Sequence, residues 1–154
     1  MQQRLRTGCF MVAVFALGVS SGCGGRDPKL PPLVPVEGTV TLDGQPLEGA
    51  YVQFHPVGDT RGTGAASNTD GEGRYELIAP DRSKGAPVGQ YRVMISKLVM
   101  PDGSPYSAAD GLAPMDSPAR EAVPERYSDF EQSVLTAVVP DGGGTIDFPL
   151  TTKR

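Results

Sequence analysis

The sequence predicts an all-β fold, a sandwich of about seven short strands. Two observations carry that expectation. Several runs alternate apolar and polar residues at period two, the mark of strands with one face buried. The 20 glycines and 15 prolines fall mostly between those runs, where turns are needed. Together they make about a quarter of the chain that follows residue 22, a level at which disorder would be suspected if they were not so placed. The 154 residues suffice for one domain of ordinary size. With no Trp and only 6% aromatics, the core has to be built from Val, Leu, Ile and Ala with a few Phe and Tyr.

The first element is an address. Arg4 and Arg6 are followed by an apolar run from Cys9 to Val19 and then by Ser20, Ser21 and Gly22, the layout of a secretory signal peptide over residues 1–22. The apolar run is shorter than the roughly 20 residues needed to cross a bilayer. Val-Ser-Ser-Gly-Cys, ending at Cys23, is similar to a bacterial lipobox, which implies a diacylglyceryl group on the Cys23 thiol and acylation of its amine. Ser20 stands where Leu or Val is usual, and Ser20 with Gly22 also suits an ordinary signal peptidase. Ordinary cleavage would leave Cys23 as a lone thiol outside the cytoplasm, and acylation accounts for it. Cys9 leaves with the signal, so no disulfide is expected in the domain.

Gly24 to Pro35, GGRDPKLPPLVP, is expected to be a tether. At about 3.1 Å per residue it would reach roughly 35 Å. A leader with no spacing role is the other reading. Gly24 in place of the Asp that commonly retains lipoproteins in the inner membrane favours the outer membrane.

The domain is expected over residues 36–151. Val36, Gly38, Val40 and Leu42 share the inward face of the first strand, and Asp43-Gly44 turns the chain. Ala50, Val52 and Phe54 resume that face. Thr63 to Ser67 reads as a short strand, Asn68 to Gly73 as a turn, and Tyr75 and Leu77 point inward after it. Tyr91, Val93 and Ile95 are the inward side of the strongest strand. Met100 to Val123 has no sustained period, and a segment of that length in a compact domain is either functional or mobile. Ser117-Pro118 is expected to cap one helical turn through about Ala122. Ser133 to Val139 is apolar on both faces, so its register stays open. Ile146, Phe148 and Leu150 close the fold, with Pro149 outward at an edge.

The pattern Val36-x-Gly-x-Val-x-x-x-Gly44-x-Pro46-Leu47-x-Gly49-Ala50-x-Val52-x-Phe54, then Thr69-Asp70-x-x-Gly73-x-Tyr75 and Gly89-x-Tyr91-x-Val93, resembles the carboxypeptidase regulatory-like domain. Pro124-Glu-Arg-Tyr127, Ser133-x-Leu135-Thr136 and Asp147-Phe148-x-Leu150 resemble the tail of small bacterial lipoproteins that carry it. The resemblance spans nearly all of Val36 to Leu150. It implies a transthyretin-like (prealbumin-type) β-sandwich that is non-catalytic, and it brings no activity or cofactor with it. The 5-hydroxyisourate hydrolases of the same fold use several histidines and a C-terminal Tyr-Arg-Gly-Ser; this chain has one His and ends Thr-Thr-Lys-Arg.

Candidate sites are few. Asn68, Asp70 and Glu72 place oxygens at alternate positions beside glycine, faintly like a calcium loop, but Asn, Asp and Gly are also ordinary turn residues and a calcium ion takes six to eight oxygens. His55 is the only histidine and falls on an outward strand face; no Gly-x-Ser-x-Gly or His-Glu-x-x-His accompanies it. Tyr127 either closes one end of the sandwich through its hydroxyl or is exposed for binding. The net charge is −4; without Arg4 and Arg6 the 14 basic residues become 12 against 18 acidic, or −6, which argues against nucleic acid as a partner. The expectation is a lipid-anchored module outside the cytoplasm that binds or displays, with an envelope protein as partner. A hydrolase or a glycan-binding module is the alternative.

Overall fold

The computed structural model describes residues 31–107 and 113–153. The expected signal peptide, Cys23 and most of the tether lie outside them. Seven strands of three residues or more are present among the described residues: β1 Val36–Leu42, β2 Tyr51–Val57, β3 Ala65–Asn68, β4 Arg74–Glu76, β5 Gly89–Ser96, β6 Thr136–Val139 and β7 Phe148–Leu150. A single helical turn, α1, spans Glu125–Ser128.

β1 is the centre of the first sheet. β4 pairs with it antiparallel through Glu37–Thr39, and β7 pairs parallel on its other side through Val40–Leu42. Asp43 and Gly44 both take positive φ (50° and 82°), the conformation of a type I′ hairpin, and fold Gln45–Pro46 back on Thr41–Leu42. The second sheet is antiparallel throughout, in the order β6-β5-β2-β3. Phe54 of β2 joins the two sheets: its ring meets Tyr75 of β4 at 6.3 Å, Phe148 of β7 at 6.0 Å and Tyr91 of β5 at 5.6 Å. Around it lie Val36, Val40, Val52, Leu77, Val93, Ile95 and Val139, all fully buried. The chain is thus all-β, two sheets closed face to face on an aliphatic core with an aromatic centre.

One interruption in the first sheet is filled by a side chain. Gly144–Thr145 pairs parallel with Val36–Glu37, and β7 continues in the same register three residues on. Between them, Asp147 Oδ1 accepts from both the amide and the hydroxyl of Thr39, each at 2.7 Å. The Tyr75 hydroxyl donates to the Ile146 carbonyl at 2.6 Å. That carbonyl reaches so far over β1 only because residue 38 is glycine. A Cβ there would lie 2.6 Å from the Ile146 carbonyl carbon and closer still to its oxygen.

The tether ends sooner than expected. Leu33–Val34 pairs antiparallel with Ala86–Pro87, and Gly144 N donates to the Pro35 carbonyl at 2.9 Å. Gly85 and Gly143 line this strap: a Cβ on either would strike the backbone of Val34 or Pro35. The fold therefore starts by Leu33, not Val36. Composition hid this, because a Pro-rich stretch that is free and one held by distant glycines read alike.

Two further expectations change. Ser117 opens no helix; its hydroxyl donates to the Pro114 carbonyl at 3.0 Å and closes a 3-10 turn over Pro114–Asp116. Arg120–Glu121 then pairs with Leu98–Val99, which ties the base of the long excursion. Glu121 fastens that base further. Its carboxylate accepts from Ser96 Oγ at 2.5 Å and from the amides of Lys97 and Val123, both at 2.9 Å.

Candidate binding face

The outer face of the second sheet carries the alternate residues of its strands: Tyr51, Gln53 and His55 on β2, Arg92 and Met94 on β5, Ala66 and Asn68 on β3, Thr136 and Val138 on β6. The register places His55 opposite Arg92, and Tyr51 opposite both Asn68 and Ser96. A loop is laid on this face after α1. Asp129 Oδ1 accepts the amides of Glu131 and Gln132, both at 2.9 Å, which bends the chain and turns Phe130 onto the sheet. The Phe130 ring stands edge-on to His55 at 4.8 Å, and the Arg92 guanidinium lies over it at 5.4 Å. Arg92 also donates to the Phe130 carbonyl at 3.3 Å.

His55 Nε2 is buried and has no hydrogen-bond partner among the described residues. Beside it an open groove of about 630 Å³ runs between β2 and the β3 edge, lined by Tyr51, Gln53, His55, Ser67, Asn68 and Ile78. Tyr51, Ile78 and Phe130 are each more than 40% exposed. Two amide side chains, an imidazole, a phenol and aliphatic surface make a groove suited to reversible docking of a polar chain with apolar side groups. Two carboxylates of the long excursion are engaged away from His55: Glu121 as above, and Asp102, which accepts from the Ser104 amide and hydroxyl.

The calcium-type oxygens do not form one ligand set. Asp70 Oδ1 accepts the amides of Glu72 and Arg74, both at 2.9 Å, so this carboxylate holds the turn. Glu72 pairs with Arg74 at 3.1 Å in solvent, and Asn68 sits on β3 opposite Tyr51. Among the described residues, no group of three or more His, Cys, Asp or Glu is disposed around a metal position.

Tyr127 is corrected as a binding candidate. It is 7% exposed and packs in the core, with the Arg126 guanidinium over its ring at 4.7 Å. The backbone-tying role expected of it belongs to Tyr91, whose hydroxyl donates to the Pro87 carbonyl at 2.7 Å, and to Tyr75. Arg126 instead holds the end of the chain, donating to the carbonyls of Thr151 and Lys153. Phe130 and Arg92 were not foreseen. The signal for Arg92 was its alternation with Tyr91 and Val93; Phe130, in the polar run Ser-Asp-Phe-Glu-Gln, gave none.

No family model, curated protein or solved structure matches this chain. No helix among the described residues is long and apolar enough to cross a membrane.

Proposed function

We propose that the chain is a lipid-anchored, extracytoplasmic binding module of the carboxypeptidase regulatory-like, transthyretin-like class, held at Cys23 and docking an envelope protein on the outer face of its four-stranded sheet. The observation that carries this reading is the groove at Tyr51, Gln53 and His55, with exposed Tyr51 in its lining and exposed Phe130 packed on His55. Exposed apolar surface of that kind, rimmed by polar groups, marks interaction sites.

Cross-linking in intact cells with a carboxylate-reactive linker tests it. Asp129 and Glu131 flank Phe130 and are the reporting positions. One dominant protein joined through them, and lost on Tyr51→Ala or Phe130→Ala, is the expected result. A partner joined instead through Glu72 or Glu76, across the other sheet, would refute the face. A glycan captured in place of a protein would move the ligand class. The anchor is tested separately: mass spectrometry of the native N-terminus should find an acylated Cys23, and an unmodified amine there rules the anchor out.

A further inference from the structure

Sheet edges offer unpaired backbone groups, and folded proteins blunt them. Three edges here are blunted. β3 is covered by Ile78, which exchanges backbone hydrogen bonds with Ala66 at 3.0 and 3.1 Å. β7 carries Pro149, which has no donor. β4 is three residues long with charged Arg74 and Glu76 on it. α1 reaches the edge of β6 only at its approach, where the Val134 amide donates to the Arg126 carbonyl at 3.0 Å; from Thr136 to Val139 no such device is present among the described residues. From Gln132 to Pro140 there is no charged residue, and Val134 and Val138 are 64% and 66% exposed.

The hydrogen-bond phase of β6 follows from one contact. Val93 N donates to the Leu135 carbonyl at 2.9 Å, so Leu135, Ala137 and Val139 direct their backbone groups at β5. Thr136 and Val138 direct theirs the other way. Two N–H and two C=O groups therefore face out from an apolar, β-branched edge.

We propose that this edge is completed by a second copy of the chain, β6 against β6, antiparallel, about a two-fold axis at Ala137. The register is self-complementary. Thr136 falls opposite Val138 of the second copy, and the four outward groups on each side make four interchain hydrogen bonds. The axis residue is small, so the strands close without a side-chain clash. Glu131 and Asp141, the nearest charges, fall opposite Gly143 and Ser133 of the second copy, so no like charges oppose. The outer faces of two sheets join into one, bringing both Phe130–Val134–Val138 margins to the seam, as an isologous contact requires. This inference does not depend on the anchor or on the groove.

The test is oxidative cross-linking of the full chain in producing cells. Cα atoms of a non-hydrogen-bonded antiparallel pair stand about 4.5 Å apart, within the range a disulfide spans. Ala137→Cys should give a disulfide-linked dimer, well above the wild-type chain with its own Cys9 and Cys23 and above Arg61→Cys as a surface control. Val138→Pro in the Ala137→Cys background should abolish it, because the Val138 N–H points away from β5 and its loss leaves the intrachain ladder whole. Val138→Lys, which keeps the backbone, should reduce it at least tenfold. Circular dichroism of the purified variants checks that they fold. No dimer from Ala137→Cys, a dimer that survives Val138→Pro, or a disulfide to a different protein would each overturn the proposal.

Discussion

Gly38→Ala is the sharpest test of how the first sheet is held. Its added methyl would sit 2.6 Å from the Ile146 carbonyl carbon and 3.0 Å from Tyr75 Cε1. Neither can yield cheaply. Ile146 is backbone held by Glu37, whose carbonyl accepts its amide at 2.8 Å, and Tyr75 is 3% exposed. Relief requires Ile146 to move off β1, which breaks that bond and the one from the Tyr75 hydroxyl. Two neutral hydrogen bonds contribute about 1 kcal/mol each. Forcing a methyl into a packed site costs about 1–3 kcal/mol more. The expected loss is therefore about 3–5 kcal/mol, and a fall in Tm of roughly 10–20 °C for a domain of this size. Thermal and urea unfolding, followed by circular dichroism, measure it. Gly142→Ala is the control, since nothing lies within 4 Å of a Cβ there. A Gly38→Ala protein within about 0.5 kcal/mol of the wild type would refute the close approach and, with it, the account of the sheet interruption.

Phe54→Ala should cost about 3–5 kcal/mol in urea unfolding, because a 1%-exposed ring in contact with three aromatic rings is removed from both sheets at once. The Asp43 carboxyl is held below its ordinary value by hydrogen bonds, first from the Thr152 hydroxyl, then from the Thr152 amide, with Thr151 and Lys153 adding. Its stabilisation is complete above the ordinary value of 3.8 and fades as pH falls through the lower folded value. Hydrogen exchange at Thr152 should accelerate only below about pH 4 in the wild type, and at all pH values in Asp43→Asn. Burial pushes the Tyr91 hydroxyl up to about 12 and the Tyr75 hydroxyl also upward, the latter helped by Asp147. Both stay protonated in the fold while the unfolded chain ionises near 10, so stability should fall as pH rises from about 10 towards 12, and less in Tyr91→Phe.

The strands that were legible in the sequence are those with one wet face. Tyr91, Val93 and Ile95 alternate with Arg92, Met94 and Ser96, and the structure buries the first set. β6 was illegible because its solvent side, Val134, Thr136 and Val138, is as apolar as its core side. What selects the core side is Ser133, whose buried hydroxyl donates to the Val93 carbonyl and seats Leu135, Ala137 and Val139 inward. Two-residue ladders such as Leu98–Val99 with Arg120–Glu121 are too short to show a period. Of the candidate site, His55 was visible as a solitary outward histidine. Its neighbour Phe130 comes from 75 positions further along and is delivered by an aspartate turn, a relation that no local pattern carries.

The strap at Leu33–Val34 also fixes the end of the domain from which the preceding chain leaves. It enters at the end where β2 hands over to β3, near Gly62 and Pro87. The Asp43–Gly44 hairpin, the Asp70–Gly73 turn and the last residues lie at the other end, where Thr151 and Thr152 bond Asp43. If Cys23 carries acyl chains, only Gly24 to Leu30 separate the headgroups from a fixed point on the domain, at most about 25 Å of chain. An anchor there would attach at the strap pole, with the Asp43–Gly44 hairpin at the opposite pole and the candidate face along the flank between them. Lengthening residues 24–30 would then change how far the face can reach sideways without altering the fold that bears it.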